Sequence, residues 1–365
     1  MKLKISAGRH ARKQAICTVC IPNLPEFENG RARLLPESGK AIPASIRGTG
    51  ESTELTFVLD WLGAGESITL SLEPAVSTGK PVMCAEQTER GVSITNDGEF
   101  LTEYYTGTDL AKPYMGPLQD RFGANVTRLD FEAKEHPHHR SLWVSHGSVN
   151  GVDTWNEPAD RHGYIRNHAI RDVFCGDALA AFTADNTWTD HGGKELLDET
   201  TTYKIYATTP SKTVIDVHIT LTAAYGDVTL GATKEAGPLA VRMADSIRVQ
   251  ETGTMKNGVG GINESEIWMK RAPWVDYFGT AGGRVNGVAM LDAPSNDGFP
   301  SYWHARDYGL MAVNNFYRGG EKHLAPGESM HFTYRVIVHG GNTEEAEIAA
   351  MYDDFAHGVK VEVEA

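Results

Sequence analysis

Val214-Ile215-Asp216-Val217-His218-Ile219-Thr220-Leu221 decides the fold class. Ile215, Val217, Ile219 and Leu221 fall on one face, and Asp216, His218 and Thr220 on the other. Strict alternation of this kind marks a half-buried strand of an antiparallel sheet. His331 to Val338 repeats it, with Phe332, Tyr334, Val336 and Val338 inward. Ahead of that strand, Ala325-Pro326-Gly327-Glu328 has proline and glycine where a type II turn needs them. The 38 glycines and 16 prolines fit many turns between short strands. The chain reads as all-β, of sandwich type.

One helix interrupts this pattern near the end. Asn342 is placed as its cap and Glu345 completes a capping box. Ile348, Met351, Tyr352 and Phe355 form an apolar stripe at helical spacing, and Gly358 ends it. The first 80 residues contain their own strand patterns, such as Thr56-Phe57-Val58-Leu59 and Ile68-Thr69-Leu70-Ser71-Leu72. Ser77-Thr78-Gly79-Lys80-Pro81 is a boundary signal. The expected division is a small N-terminal β domain over 1–80 and a β-sandwich domain over 81–365.

Composition narrows the function. A chain of 365 residues with 41% hydrophobic and 22% charged residues is an ordinary globular protein. Its formal net charge of −14 argues against nucleic acid, whose phosphates need a basic face. No stretch reaches the length of a membrane-spanning helix. The N-terminus lacks the apolar run of a signal peptide, so a cytoplasmic location is expected. No signal for an oligomeric state is present. Of four cysteines, Cys17 and Cys20 have CxxC spacing without a second pair. They read as small core residues of a strand in a reducing compartment.

The chemistry is expected around Glu135-His136-Pro137-His138-His139-Arg140-Ser141-Leu142-Trp143-Val144-Ser145-His146. Four of the 14 histidines lie here within eleven positions. Imidazoles titrate near neutrality, so a cluster points to proton transfer or metal binding. A core strand has no need for so many rings that must each find a partner. Pro137 cannot donate to a ladder, so the segment is an edge, a bulge or a loop. Run extended, it would put His136 and His138 on one face and His139 on the other. Trp155-Asn156-Glu157 follows with an aromatic face, an amide and a carboxylate, which suit a sugar ring. Trp268 to Tyr277 and Tyr302 to Leu310 form a second constellation. There, Asp307 is placed to orient His304 as a base. Arg306–Asp307 reads equally as a structural ion pair. Arg242 and Lys112-Pro113-Tyr114 are weaker candidates.

These motifs carry a resemblance. His136-Pro-His-His-Arg through Asn150-Gly-Val-Asp-Thr-Trp155 resembles the signature of a family of uncharacterised bacterial proteins called PmoA-like. Arg271-Ala-Pro-Trp-Val-Asp-Tyr277 and Trp303-His-Ala-Arg-Asp-Tyr-Gly309 resemble its later signatures, and Lys112-Pro-Tyr114 an earlier one. The likeness spans roughly residues 90 to 340. The label borrows the name of a methane monooxygenase subunit, a membrane protein, and is not read as an activity. The resemblance implies an antiparallel β-supersandwich similar to the galactose mutarotase-like fold. Many proteins of that superfamily act on carbohydrates, so a small carbohydrate is the expected partner. Fold alone does not fix function.

Four functions follow in order. The first is a carbohydrate-active enzyme, a lyase or hydrolase acting on a sugar or keto-glycoside. Its catalytic residues would be His138, His139, His146 and His304 with Asp307. Its binding residues would be Arg140, Trp143, Trp155, Glu157, Arg271, Trp274, Asp276 and Arg306. The second is a mutarotase-like epimerase pairing a histidine with Glu157, Glu199 or Glu264. The third is a non-catalytic sugar-binding or partner protein. A metal oxygenase ranks last. No cofactor is established, although a divalent metal at the histidine cluster stays open, since no HExxH or facial-triad spacing fixes its ligands.

Overall fold

The computed structural model describes residues 1–22, 27, 30–49, 52–75, 79–131, 134–208 and 211–364. Among the described residues two large antiparallel sheets carry the fold. The first has seven strands, in the order Arg12–Ile21, Ser52–Leu62, Ile42–Thr49, Arg31–Pro36, Ser67–Pro74, Lys2–Ser6 and Lys360–Glu364. Its core gathers Leu3, Ile5, Leu34, Leu55, Phe57 and Leu70. Six of its strands come from the first 80 residues. The seventh is the last strand of the chain, paired antiparallel with Lys2–Ser6. The boundary signal at Ser77 and Thr78 lies outside the described residues.

The second sheet has sixteen strands. One half runs from Thr254–Asn257 through Ser329–Gly340 and Lys212–Thr222 to Tyr164–Gly176. The other runs from Met83–Thr88 through Leu142–His146 and Ala236–Arg242 to Trp303–Arg306. Val92, Leu142, Leu239 and Met311 of the second half share one buried core with Ile215, Val217, Val288 and Phe332 of the first. The ribbon therefore folds over itself as a β-supersandwich, with alternate residues of each strand turned inward. Ile215, Val217, Ile219 and Leu221 are buried as the alternation requires. The turn before the other marker strand also forms. Glu328 N donates to Ala325 O at 2.9 Å, and Gly327 takes the positive φ of 85° that the third position of a type II turn demands.

The outer face of the central strands is covered as well. A second cluster joins Trp274, Leu291 and Ile337 of the sheet to Ile348 and Met351 of the helix Ile348–Ala356. The helix starts later than its box predicts. Asn342 Oδ1 accepts from the amides of Glu344 and Glu345, and Glu345 returns a bond to the Asn342 amide at 2.9 Å. These reciprocal bonds close a separate turn, and the helix begins after Glu347, whose φ is 58°. The cysteines also depart from expectation. Cys17 is buried but Cys20 is exposed. Cys84 and Cys175 stand opposite each other on neighbouring strands, joined by a disulfide with an S–S distance of 2.03 Å. Among the described residues no helix is long and apolar enough to cross a membrane.

Candidate active site

The histidine segment enters the sandwich on the strand Leu142–His146, all five residues of which are buried. That strand pairs with Ala236–Arg242. Residues 135–141 do not run extended. His139 N donates to His136 O at 3.0 Å, and both His136 and Ser141 have positive φ, 51° and 46°. Left-handed backbone at non-glycine positions is uncommon and tends to sit at functional sites. The tight turn replaces the predicted two-faced arrangement and gathers the rings. His136 stacks on His139 at 5.0 Å and on Tyr308 at 4.9 Å, while His138 meets His139 edge-on at 4.5 Å.

A cleft of about 240 Å³ opens beside this stack. His136, His139, Trp155, His304 and Tyr308 line it, with Asn156, Lys234, Glu235 and Arg306. The two sequence constellations, far apart in the chain, therefore meet.

Hydrogen bonding fixes which nitrogen of each cleft imidazole carries the proton. Arg242 Nη1 lies 3.0 Å from His139 Nδ1. A guanidinium only donates, so Nδ1 accepts and the proton of His139 sits on Nε2. Burial first, and the neighbouring positive groups next, hold the His139 pKa well below its ordinary value. His139 is thus a neutral donor. His136 has the opposite arrangement. Its Nδ1–H donates to the Glu135 carboxylate, which only accepts, so Nε2 is the nitrogen free to exchange a proton. His136 is 42% exposed at its side chain, which makes it the accessible imidazole of the group. His304 bonds the Lys234 carbonyl, and its Nδ1 has no partner among the described residues. Its pKa falls to about 4, chiefly by burial.

Below the cleft, Arg140 clamps Glu157 with two bonds, 2.6 and 2.9 Å. Lys112 bonds the same carboxylate and the Trp155 carbonyl, the latter at 2.9 Å. Burial would raise the Glu157 pKa, but Lys112 and Arg140 pull it down to about 2. Burial lowers Lys112 to about 8. His138 lies over this triad with its pKa lowered to about 3, mainly by burial, and its Nε2 unpartnered. Glu157 and Arg140 are therefore structural neighbours of the cleft and do not line it.

Several expected residues stand elsewhere. Asp307 does not orient His304. Its carboxylate accepts the amide of Glu264 at 3.0 Å, while Glu264 accepts the amide of Asp307 and pairs with Arg306. His146 is locked against the Gly231 carbonyl at 3.0 Å and packs on Phe316. Asp276 is fully buried between His339 and Thr343. Trp274 is core beneath the C-terminal helix. Arg271 is exposed, covers Tyr302 and bonds the carbonyls of Gly298 and Pro300. Trp143 and Trp155 pack on His139 and on each other, so they brace the imidazoles and offer no open platform. Glu199 sits in the core, held by Trp188, Asn186 and Thr201. Lys234 and Glu235 lie outside both stretches singled out from sequence, while His136, Tyr308 and Leu310 lie inside them but had no role assigned. The Glu135-His136 neighbourhood was the available signal for His136. Among the described residues no three His, Cys, Asp or Glu side chains gather as metal ligands. An arginine donating to His139 also makes that ring a poor ligand for a divalent cation.

A family described as "Family of unknown function (DUF6807)" matches residues 91–353. No curated protein matches the chain. Among solved structures it is similar to a protein of glycosyl hydrolase family 38 from Enterococcus faecalis. Identity is 10% and the TM-score 0.42, over 100% of this chain and 47% of that one. An alpha-galactosidase from Lactobacillus brevis is 11% identical with a TM-score of 0.38, over 75% of this chain and 42% of that one. The GH36 alpha-galactosidase AgaA from Geobacillus stearothermophilus is 12% identical with a TM-score of 0.36, over 71% and 40%. The chain spans less than half the length of each.

Proposed function

The chain belongs to the DUF6807 family of unknown function, and since membership carries no activity, we propose one from the cleft: a carbohydrate-active enzyme that breaks a bond at a sugar carbon by histidine acid–base chemistry. One observation carries this reading. Three imidazoles with fixed and complementary proton positions line a single small cleft. His136, oriented by Glu135, takes a proton at Nε2 and returns it to the leaving oxygen. His139 holds a substrate oxygen through its Nε2–H, a role that neutral imidazole fills without changing charge. Tyr308, whose pKa is pushed up to about 12 by burial, stays a protonated phenol beside them. Elimination or hydrolysis fits this set, since one base and fixed donors serve both. The PmoA-like and mutarotase-like resemblances add a fold expectation to this reading and no residue role.

A second reading is favoured by Glu235, which lines the same cleft as His136 and His304. A carboxylate and imidazoles around one space suit a mutarotase-like epimerase. Proton NMR on sugars and keto-glycosides separates the two, since anomer exchange forms no new product. With a substrate in hand, His136→Ala should lower kcat by about 10²–10⁴ with the fold intact. Unchanged turnover in that variant would remove the acid–base proposal and leave a sugar-binding protein.

A further inference from the structure

Behind the cleft wall runs a chain of charged contacts. Glu135 pairs with Arg242 and, at 3.6 Å, with Arg128. Arg242 donates to His139, whose ring touches that of His138. His138 lies among Lys112, Arg140 and Glu157, which are bonded to one another. Four cations thus share two carboxylates among the described residues. Two further acids act on this group, Asp245 on Arg128 and Asp153 on Lys112. Asp245 pairs with Lys134 at 3.1 Å, and Asp153 accepts the amides of Trp155 and Asn156.

Donors are left over as well. Arg128 Nε and Nη1, Arg140 Nε and Arg242 Nε are buried and reach no acceptor among the described residues. Their residues are only 4%, 7% and 0% exposed. A buried guanidinium N–H without an acceptor is costly and persists where something compensates it. The chain as a whole is strongly acidic at −14, so a basic composition does not explain the excess. At the cleft itself, Lys234 and Arg306 add two more cations, paired with Glu235 and Glu264.

Resting on the reading of this cleft as a carbohydrate site, we propose that its ligand is an acidic sugar. The sugar carries a carboxylate or a phosphate, and its anionic group meets the positive field of Arg128, Arg140, Arg242 and Lys112. Lys234 and Arg306 stand at the cleft itself, and the guanidinium N–H groups left over behind its wall supply further donors to an anionic oxygen.

Binding of D-galacturonate, D-glucose 6-phosphate, D-galactose and sodium sulfate to the full chain tests this by calorimetry and thermal shift. At least one acidic sugar should bind about ten-fold or more tighter than galactose at low salt. The gap should close as ionic strength rises. Whichever acidic sugar prevails tells carboxylate from phosphate. Arg128→Gln and Lys234→Gln should each bring the ratio of acidic to neutral affinity towards one. Lys234 is exposed, so the second variant keeps the test open if the first does not fold. Galactose binding as tightly as both acidic sugars would overturn the inference and leave the carbohydrate reading standing. Stabilisation by sulfate alone, lost in Arg128→Gln, would uphold the anion site and remove the carbohydrate reading. No response to any of the four would remove both.

Discussion

His139 and His136 stand three residues apart, yet their hydrogen bonds give them opposite chemistry. Arg242 forces the His139 proton onto Nε2, and Glu135 leaves the His136 Nε2 free to exchange a proton. Long-range ¹⁵N–¹H correlation of histidine-labelled protein reads this directly. At neutral pH His139 should appear as the neutral Nε2–H tautomer, and Arg242→Met should let the Nδ1–H form appear. A His139 ring protonated on both nitrogens at pH 7 would contradict the assignment. The cluster itself was legible in the sequence as four imidazoles in eleven positions, although His146 proves to be packed on Phe316 and bonded to Gly231. The ring proposed as the base was not legible there. His136 is selected by a left-handed turn that leaves it at the cleft while His138 and His139 pack inward. No local pattern encodes which ring of such a turn stays accessible.

Strands with one buried face announced themselves, since period-two alternation follows from burial on one side only. Where both faces are covered the signal fails. Trp274 and Asp276 lie on a strand between the main core and the C-terminal helix, so both read as site residues while serving packing and a buried pair with His339. The Cys84–Cys175 link escaped for a related reason: a sequence separation of 91 residues carries no local trace. The bond joins strands Met83–Thr88 and Tyr164–Gly176, which share a two-residue register. Such a short ladder gains from a cross-link that restricts the unfolded chain. The double change Cys84→Ser with Cys175→Ser should lower stability by about 2–4 kcal/mol in denaturant unfolding, without loss of ligand binding at the cleft, which neither cysteine lines. An unaltered midpoint would show that the ladder holds without the bond.

At the scale of the whole molecule, the seven-stranded sheet takes strands from both ends of the chain. Lys360–Glu364 returns to the sheet that begins at Lys2, a pairing whose partners are too far apart in sequence to be read from it. We propose that residues 1–80 with this strand form one unit, and the rest of 81–365 another. The larger unit keeps neutral imidazoles in its interior, and this has a consequence for stability. His138, His146 and His304 have pKa values lowered to about 3, 4 and 4, in each case mainly by burial. An unfolded histidine titrates near 6.5. Between these values the unfolded chain binds more protons than the folded one, so stability rises with pH there. The contribution is complete above about pH 6.5 and is lost as pH falls towards 4. Each ring can remove at most about 2 kcal/mol at pH 5. Glu157, held at about 2 by Lys112 and Arg140, extends the loss below pH 4.5 in the same direction. Lys112 at about 8 has the same sign between pH 8 and its ordinary 10.5, where raising pH favours the folded state. Denaturant unfolding at pH 7 and pH 5 should therefore show a clear loss of stability on acidification. His146→Gln, at a residue that does not line the cleft, should make that loss smaller. Equal midpoints at the two pH values would mean that these rings are solvated, and the neutral, proton-fixed cleft built on the same burial would fall with them.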